Sequence, residues 1–224
     1  SLSISIKDFS FDMTVFKDVF SVGISASLAN LLVSVSSIVV NILLSGYGEI
    51  GELYVAGYGV TSKVVMIVTL FGIGIGSGVQ PLFGYCYGAK NKGRLVESIR
   101  FSIIFALGVC LAAGALCFIF AGPIVNVFLT QPEANDAGVF FTRVLMSTGW
   151  LIGAFAICQN TLQAMGAALP ALLASIFRQG IIFIPAALIM NTVFGVNGNI
   201  WAQPVADVLS LIVVAYMLLQ KLRK

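Results

Sequence analysis

Three ionisable side chains stand deep inside apolar stretches of this 224-residue chain: Lys63, Arg178 and Asp207. A charge in hydrocarbon is costly, so such a residue pairs, faces water or serves a function. Arg178 and Asp207 are of opposite sign and lie on consecutive apolar segments. They can neutralise one another and tie two helices together, or they can line a water-filled cavity as a proton or cation relay. Lys63 has no evident partner, which favours an aqueous cavity over lipid, although its long stem can snorkel. Uncharged amides extend the set: Asn30, Asn41, Gln80, Gln159, Asn160 and Gln163 also fall within apolar runs. Gln159 and Gln163 are four apart and so share one helix face. A buried amide needs a hydrogen-bond partner, so that face serves either an interhelical bond or a cavity wall.

No other constellation carries chemistry. The sequence contains no histidine, which removes Ser-His-Asp and Cys-His units and His-based metal sites. Cys86, Cys110, Cys117 and Cys158 lack metal-ligand spacing. The alternating Gly72, Gly74, Gly76 and Gly78 are not followed by the Gly-Lys-Ser/Thr of a phosphate loop. On a helix, Gly72/Gly76 and Gly74/Gly78 are instead small-xxx-small pairs that admit a close neighbour. Gly72 and Gly76, with Pro185 and Pro204, are also candidate bending points. Lys and Arg sit at the ends of apolar runs and form no solvated basic face, so no nucleic-acid partner is expected. No enzyme, cofactor or metal is expected either.

The elements holding these residues are membrane helices. Apolar residues make up 59% and charged residues 9% of the chain, and mean hydropathy is +1.04. So little charge leaves a water-facing surface uncovered. Crossing a bilayer core takes about 20 residues, and six stretches qualify, at about 19–44, 53–85, 98–121, 139–164, 169–194 and 200–219. The three internal charges then lie roughly 12–16 Å from the nearer helix ends. The connections at 45–52 and 122–138 carry only acids, whereas 86–97 and both chain ends carry Lys or Arg. The positive-inside rule therefore places both termini in the cytoplasm, consistent with six crossings. Residues 1–18 alternate apolar and charged side chains and read as an amphipathic interfacial stretch or linker. Ser1 is expected to be a boundary within a longer chain.

Gly76-x-Gly78-x-Gln80-Pro81-Leu82-x-Gly84-Tyr85-x-Tyr87-Gly88-Ala89-Lys90 closely resembles the end of the eighth helix in the multidrug and toxic compound extrusion (MATE) family. Asn41-x-Leu43-Leu44-Ser45-x-Tyr47-Gly48, followed by Ala56-x-Tyr58-Gly59, is similar to the turn between its seventh and eighth helices. Leu162-Gln163-Ala164-x-Gly166 resembles the end of the tenth, and Arg178-x-Gly180 with Ile184-Pro185 the eleventh. The resemblance implies an all-α integral membrane fold, with this chain as the C-terminal six-helix lobe of a twelve-helix transporter. The N-terminal lobe, in the same or a separate chain, would be its partner, joined through residues 1–18. It further implies a multi-pass protein of the cell membrane, embedded in lipid. Such a protein exports amphiphilic, often cationic, small molecules against a proton or sodium gradient by alternating access.

One departure from the family matters. Some members place coupling carboxylates on the seventh and tenth helices, but 19–44 and 139–164 contain no Asp or Glu here. A sodium site of that type is not expected in this lobe, which leaves Asp207 as its sole candidate coupling acid. Lys63 corresponds to a basic position on the eighth helix. Lys63, Gln80, Gln159, Gln163, Arg178 and Asp207 are thus the candidate substrate or cation pathway. The alternatives are a flippase for lipid-linked oligosaccharides, or a membrane scaffold or channel subunit.

Overall fold

The computed structural model describes residues 13–223, and every regular element in it is helical. In chain order these are α1 (Met13–Ser45), α2 (Glu49–Gly88), α3 (Lys92–Ile119), the short α4 (Ala121–Asn126), α5 (Pro132–Gly149), α6 (Leu151–Ala164), α7 (Ala168–Ser175), a π-helical turn (Ile176–Ile182) and α8 (Phe183–Arg223). Of the amphipathic stretch expected over 1–18, residues 13–18 already belong to α1, and the rest lies outside the described residues.

Among the described residues, four helical runs are long and apolar enough to cross a membrane: Ser27–Ser45, Glu49–Gly88, Lys92–Ile119 and Leu169–Leu222. A fifth arises when α5 and α6 are taken together, bent by 47° at their junction. The last of the four is no single rod. At Gly195 the backbone leaves the helix (φ 64°, ψ −146°), in a region that only glycine enters without cost. Arg178 and Asp207 are 29 positions apart yet in contact, whereas a straight helix would hold them about 44 Å apart. The chain therefore reverses at Gly195 and forms a helical hairpin.

The connection expected over 122–138 is mostly helical, as α4 and the first turns of α5. Pro132 stands at the start of α5, where its missing N–H costs nothing. The bend between α5 and α6 has a local cause as well. Ser147 Oγ donates to the Val144 carbonyl at 2.6 Å and Trp150 Nε1 to the Ser147 carbonyl at 2.9 Å, so side chains compete for the helix's own acceptors.

α2 is the central packing element. Its buried face runs Gly57, Thr61, Val64, Val68, Gly72 and Gly76, and it lies against α5 and α6. A methyl group on Gly57 would stand 3.0 Å from the Gly138 nitrogen, and one on Gly72 3.3 Å from the Gly153 Cα. The missing side chains let backbones touch, which is how membrane helices gain dispersion energy without a hydrophobic driving force. Thr61 Oγ1 adds a bond to the Gly138 carbonyl at 3.1 Å and one to Thr142 Oγ1 at the same distance. Gly76 faces Asn160, whereas Gly74 and Gly78 have open space around them. Gly72 and Gly76, expected to bend the helix or to pack it, lie within an uninterrupted α2 and are packed.

Tight turns join these helices. Gly166 takes a positive φ of 70°, the Ala167 N–H bonds the Leu162 carbonyl and the Gly166 N–H bonds that of Gln163. These are the two bonds of a Schellman stop. The same pair of bonds closes α2, from Asn91 to Cys86 and from Lys90 to Tyr87, but there the left-handed residue is Lys90 (φ 55°). Large apolar side chains such as Ile42, Phe101 and Ile212 remain exposed around the outside, the pattern of helices that meet lipid.

Candidate functional site

A cavity of about 380 Å³ opens between α1, α2, the bent α5–α6 pair and the C-terminal hairpin. Lys63, Arg178 and Asp207 all line it, together with Ser36, Tyr58 and Gln203. Two sequence features position the acid and the base. The π-helical turn carries Arg178 and Gln179, and such wide turns recur at functional sites because they displace one residue from the helical register. The Gln179 carbonyl accepts from Ser36 Oγ at 2.8 Å, which anchors the turn to α1. Opposite it, Gln203 and Asp207 stand four apart on α8, flanking Pro204.

Asp207 is 6% exposed and Arg178 16%. Arg178 Nε donates to Asp207 Oδ1 at 2.9 Å, and Gln203 Nε2 donates to the same oxygen at 2.9 Å. The Arg178 guanidinium lies 4.8 Å from the centroid of Phe155, close enough for a cation–π attraction. Neither the other Asp207 oxygen nor the terminal guanidinium nitrogens bond another described residue. The pair is thus fixed by one charge-assisted bond and steadied by Gln203, and both of its members line the cavity. Lys63 forms no ion pair among the described residues. Among the described residues, the cavity therefore holds two cations against one carboxylate.

The other amides go elsewhere. Gln159 Nε2 donates to Ser175 Oγ at 2.6 Å, and that hydroxyl reaches back to the Ala171 carbonyl at 3.4 Å. Gln159 therefore ties α6 to α7. Gln80 and Gln163 are half-buried and do not line the cavity. Of the prolines, Pro204 is buried beside Asp207 and Pro185 is exposed. Sequence reasoning missed Gln203, Ser36 and Phe155 as site residues. The spacing of Gln203 and Asp207 carried a usable signal, since four positions bring two side chains onto one helix face. Nothing local marks Ser36 or Phe155.

The MatE family profile matches residues 25–189. The multidrug export protein MepA of Staphylococcus aureus (strain MSSA476) is 30% identical over 225 residues, covering 99% of this chain and 49% of its own length. MepA of Staphylococcus haemolyticus (strain JCSC1435) is 29% identical over 208 residues, covering 92% and 45%. Among solved structures, the outward-facing conformation of a multidrug resistance MATE family transporter of the MOP superfamily superposes with a TM-score of 0.91 at 21% identity, covering 99% of this chain and 50% of that one. The Vibrio cholerae MATE transporter VcmN in its bent form gives 0.87 at 18% identity, with coverage of 99% and 50%. The chain thus spans about half the length of the relatives and structures it matches.

Proposed function

The chain belongs to the MatE family of multi-pass membrane transporters, and from that premise we propose that it forms one six-helix lobe of a secondary-active multidrug exporter. The lobe crosses the cell membrane six times with both termini in the cytoplasm, and pairs with a second six-helix lobe in the same or a separate chain. Amphiphilic, cationic small molecules leave the cell in exchange for protons or sodium ions. The observation that carries this reading is similarity to multidrug export proteins over 99% of the chain.

The polar cavity supplies the lobe's part of the mechanism. Protonating or deprotonating a carboxylate biases the lobes between outward and inward states, and substrate binding biases them back. Asp207 is the carboxylate available here, and Arg178, Gln203 and Lys63 set its surroundings. Lys63, which has no acid partner among the described residues, meets a carboxylate of the partner lobe across the cleft in this reading.

The test is efflux of ethidium from cells that lack their own exporters and express the whole uninterrupted gene. Expression should lower dye accumulation, and collapsing the coupled gradient, proton or sodium, should restore it. Unchanged accumulation in cells with verified membrane expression would overturn the exporter reading in favour of a flippase or a scaffold.

A further inference from the structure

On another face of α2, a trench of about 980 Å³ runs between α2 and α3, more than twice the volume of the polar cavity. Ile75, Val79 and Leu82 form one wall, and Phe101, Ile104 and Phe105 the other. Phe101 and Phe105 stack with parallel rings 6.3 Å apart and are 71% and 53% exposed. Gly78 lies in the trench with nothing within 4 Å of where a Cβ would stand. From Arg94 to Phe105, α3 rises about 16 Å, a length that suits much of an extended acyl chain.

The trench is charged at one end only. Arg94, Glu97 and Arg100 line it there, and neither arginine forms an ion pair among the described residues. Nearby, Lys90, Lys92 and Lys221 line a separate pocket of about 520 Å³ that has no carboxylate. This end of the lobe is therefore strongly positive where the chain leaves the apolar layer. Basic pockets between membrane helices on the cytoplasmic side attract anionic headgroups.

We infer that the α2–α3 trench holds an anionic phospholipid, its phosphate on Arg94 and Arg100 and an acyl chain along Phe101 and Phe105. Glu97, between the two arginines, accepts from a hydroxyl of the headgroup. The assignment rests on the orientation proposed above, which places this end at the cytoplasmic leaflet, and does not depend on what the protein transports.

The experiment is native mass spectrometry of the full-length protein, released from detergent after equilibration with equal amounts of phosphatidylglycerol and phosphatidylcholine. The wild type should retain phosphatidylglycerol in excess. Since each cation near an anionic headgroup is worth about fivefold in affinity, Arg94→Gln/Arg100→Gln should lower that retention about 30-fold. Lys221→Gln, in the neighbouring pocket, should change it less than about twofold. Gly78→Phe fills the trench without touching a charge and should displace lipid of both kinds. It also decides the matter should the double variant fold poorly.

Equal retention of the two lipids by the wild type would overturn the assignment. So would undiminished phosphatidylglycerol in the double variant, or a loss with Lys221→Gln as large as with the arginine changes. Displacement of the signal by millimolar inorganic phosphate would assign the arginines to a free anion and overturn the lipid. A trench covered by the second lobe would show itself as no retained lipid and no effect of Gly78→Phe, which also overturns it. No arm of this experiment reads efflux, so its failure leaves the exporter reading standing.

Discussion

Arg178 and Asp207 meet at 2.9 Å from opposite arms of a hairpin that reverses at Gly195. The contact depends on two departures from regular α-helix: the π-helical turn that carries Arg178 and the left-handed glycine that turns the chain. Gln203, one turn before Asp207, donates to the same carboxylate oxygen. The hairpin thereby becomes the polar wall of a cavity whose other walls belong to α1, α2 and the bent α5–α6 pair.

Removing one member of this pair strands the other in a largely buried site. Asp207→Ala should destabilise the protein by about 3 kcal/mol, and Arg178→Ala by a similar amount. The double change Arg178→Met/Asp207→Leu should recover most of that loss, because neither charge is then left alone. Thermal unfolding in detergent checks the stabilities, and ethidium efflux checks the function. Asp207→Asn and the apolar double variant should both lose gradient-driven efflux; full efflux in the double variant would reduce the pair to a structural tie.

Lys63 presents the opposite case. Among the described residues it pairs with no carboxylate, so Lys63→Ala should leave stability within about 0.5 kcal/mol of the wild type. If the cavity lies on the transport path, the same substitution should still lower efflux several-fold. A scaffold predicts instead that Lys63→Ala and Gln163→Ala leave every transport assay unchanged.

Gly153 is one of the tight points of the bundle, where α6 meets both α2 and α3. A methyl group there would approach the Ala106 carbonyl oxygen to 2.8 Å and Cys110 Sγ to 2.9 Å, with α2 pressing from its other side at Gly72. Overpacking of this kind costs about 1–3 kcal/mol, so Gly153→Ala should lower the unfolding temperature measurably. Gly74→Ala, on the same face of α2 as open space, should be neutral or stabilise by up to about 1 kcal/mol through helix propensity.

Two helix stops differ by one residue type, and that difference is measurable. Gly166 and Lys90 occupy the same left-handed position of the same motif. Gly166→Ala should destabilise by about 1 kcal/mol, and Lys90→Gly should stabilise by a comparable amount, because only the side chain opposes this conformation. Differential scanning fluorimetry of both variants checks the opposite signs.

Much of this architecture is legible in the sequence. The scarcity of charge marks a membrane protein because hydrocarbon and water cannot exchange surfaces. The opposite signs of Arg178 and Asp207 on consecutive apolar runs pointed to a pair, since an isolated charge there is costly. The run from Gly76 to Lys90 points to the family through its resemblance to the end of that family's eighth helix. Element boundaries were less legible: the acidic 122–138 stretch reads as a connection, yet α5 begins within it at Pro132.

What the sequence determined by itself was therefore the medium, the apolar runs and the residues that must avoid lipid, all of which follow from composition and one-dimensional spacing. Only the tertiary structure decided where the polar groups converge. It sent Gln159 to Ser175 and away from the cavity, and it brought Ser36, Phe155 and Gln203 to the Arg178–Asp207 pair. It also gave Gly72 and Gly153 to helix contact while leaving Gly78 in an open trench. The physical reason is that the bend at Trp150 and the reversal at Gly195, though each has a local cause, set contacts between segments distant in sequence, and that packing fixes how each helix is rotated. Small changes in these decide which face of each helix meets a cavity, a neighbour or lipid.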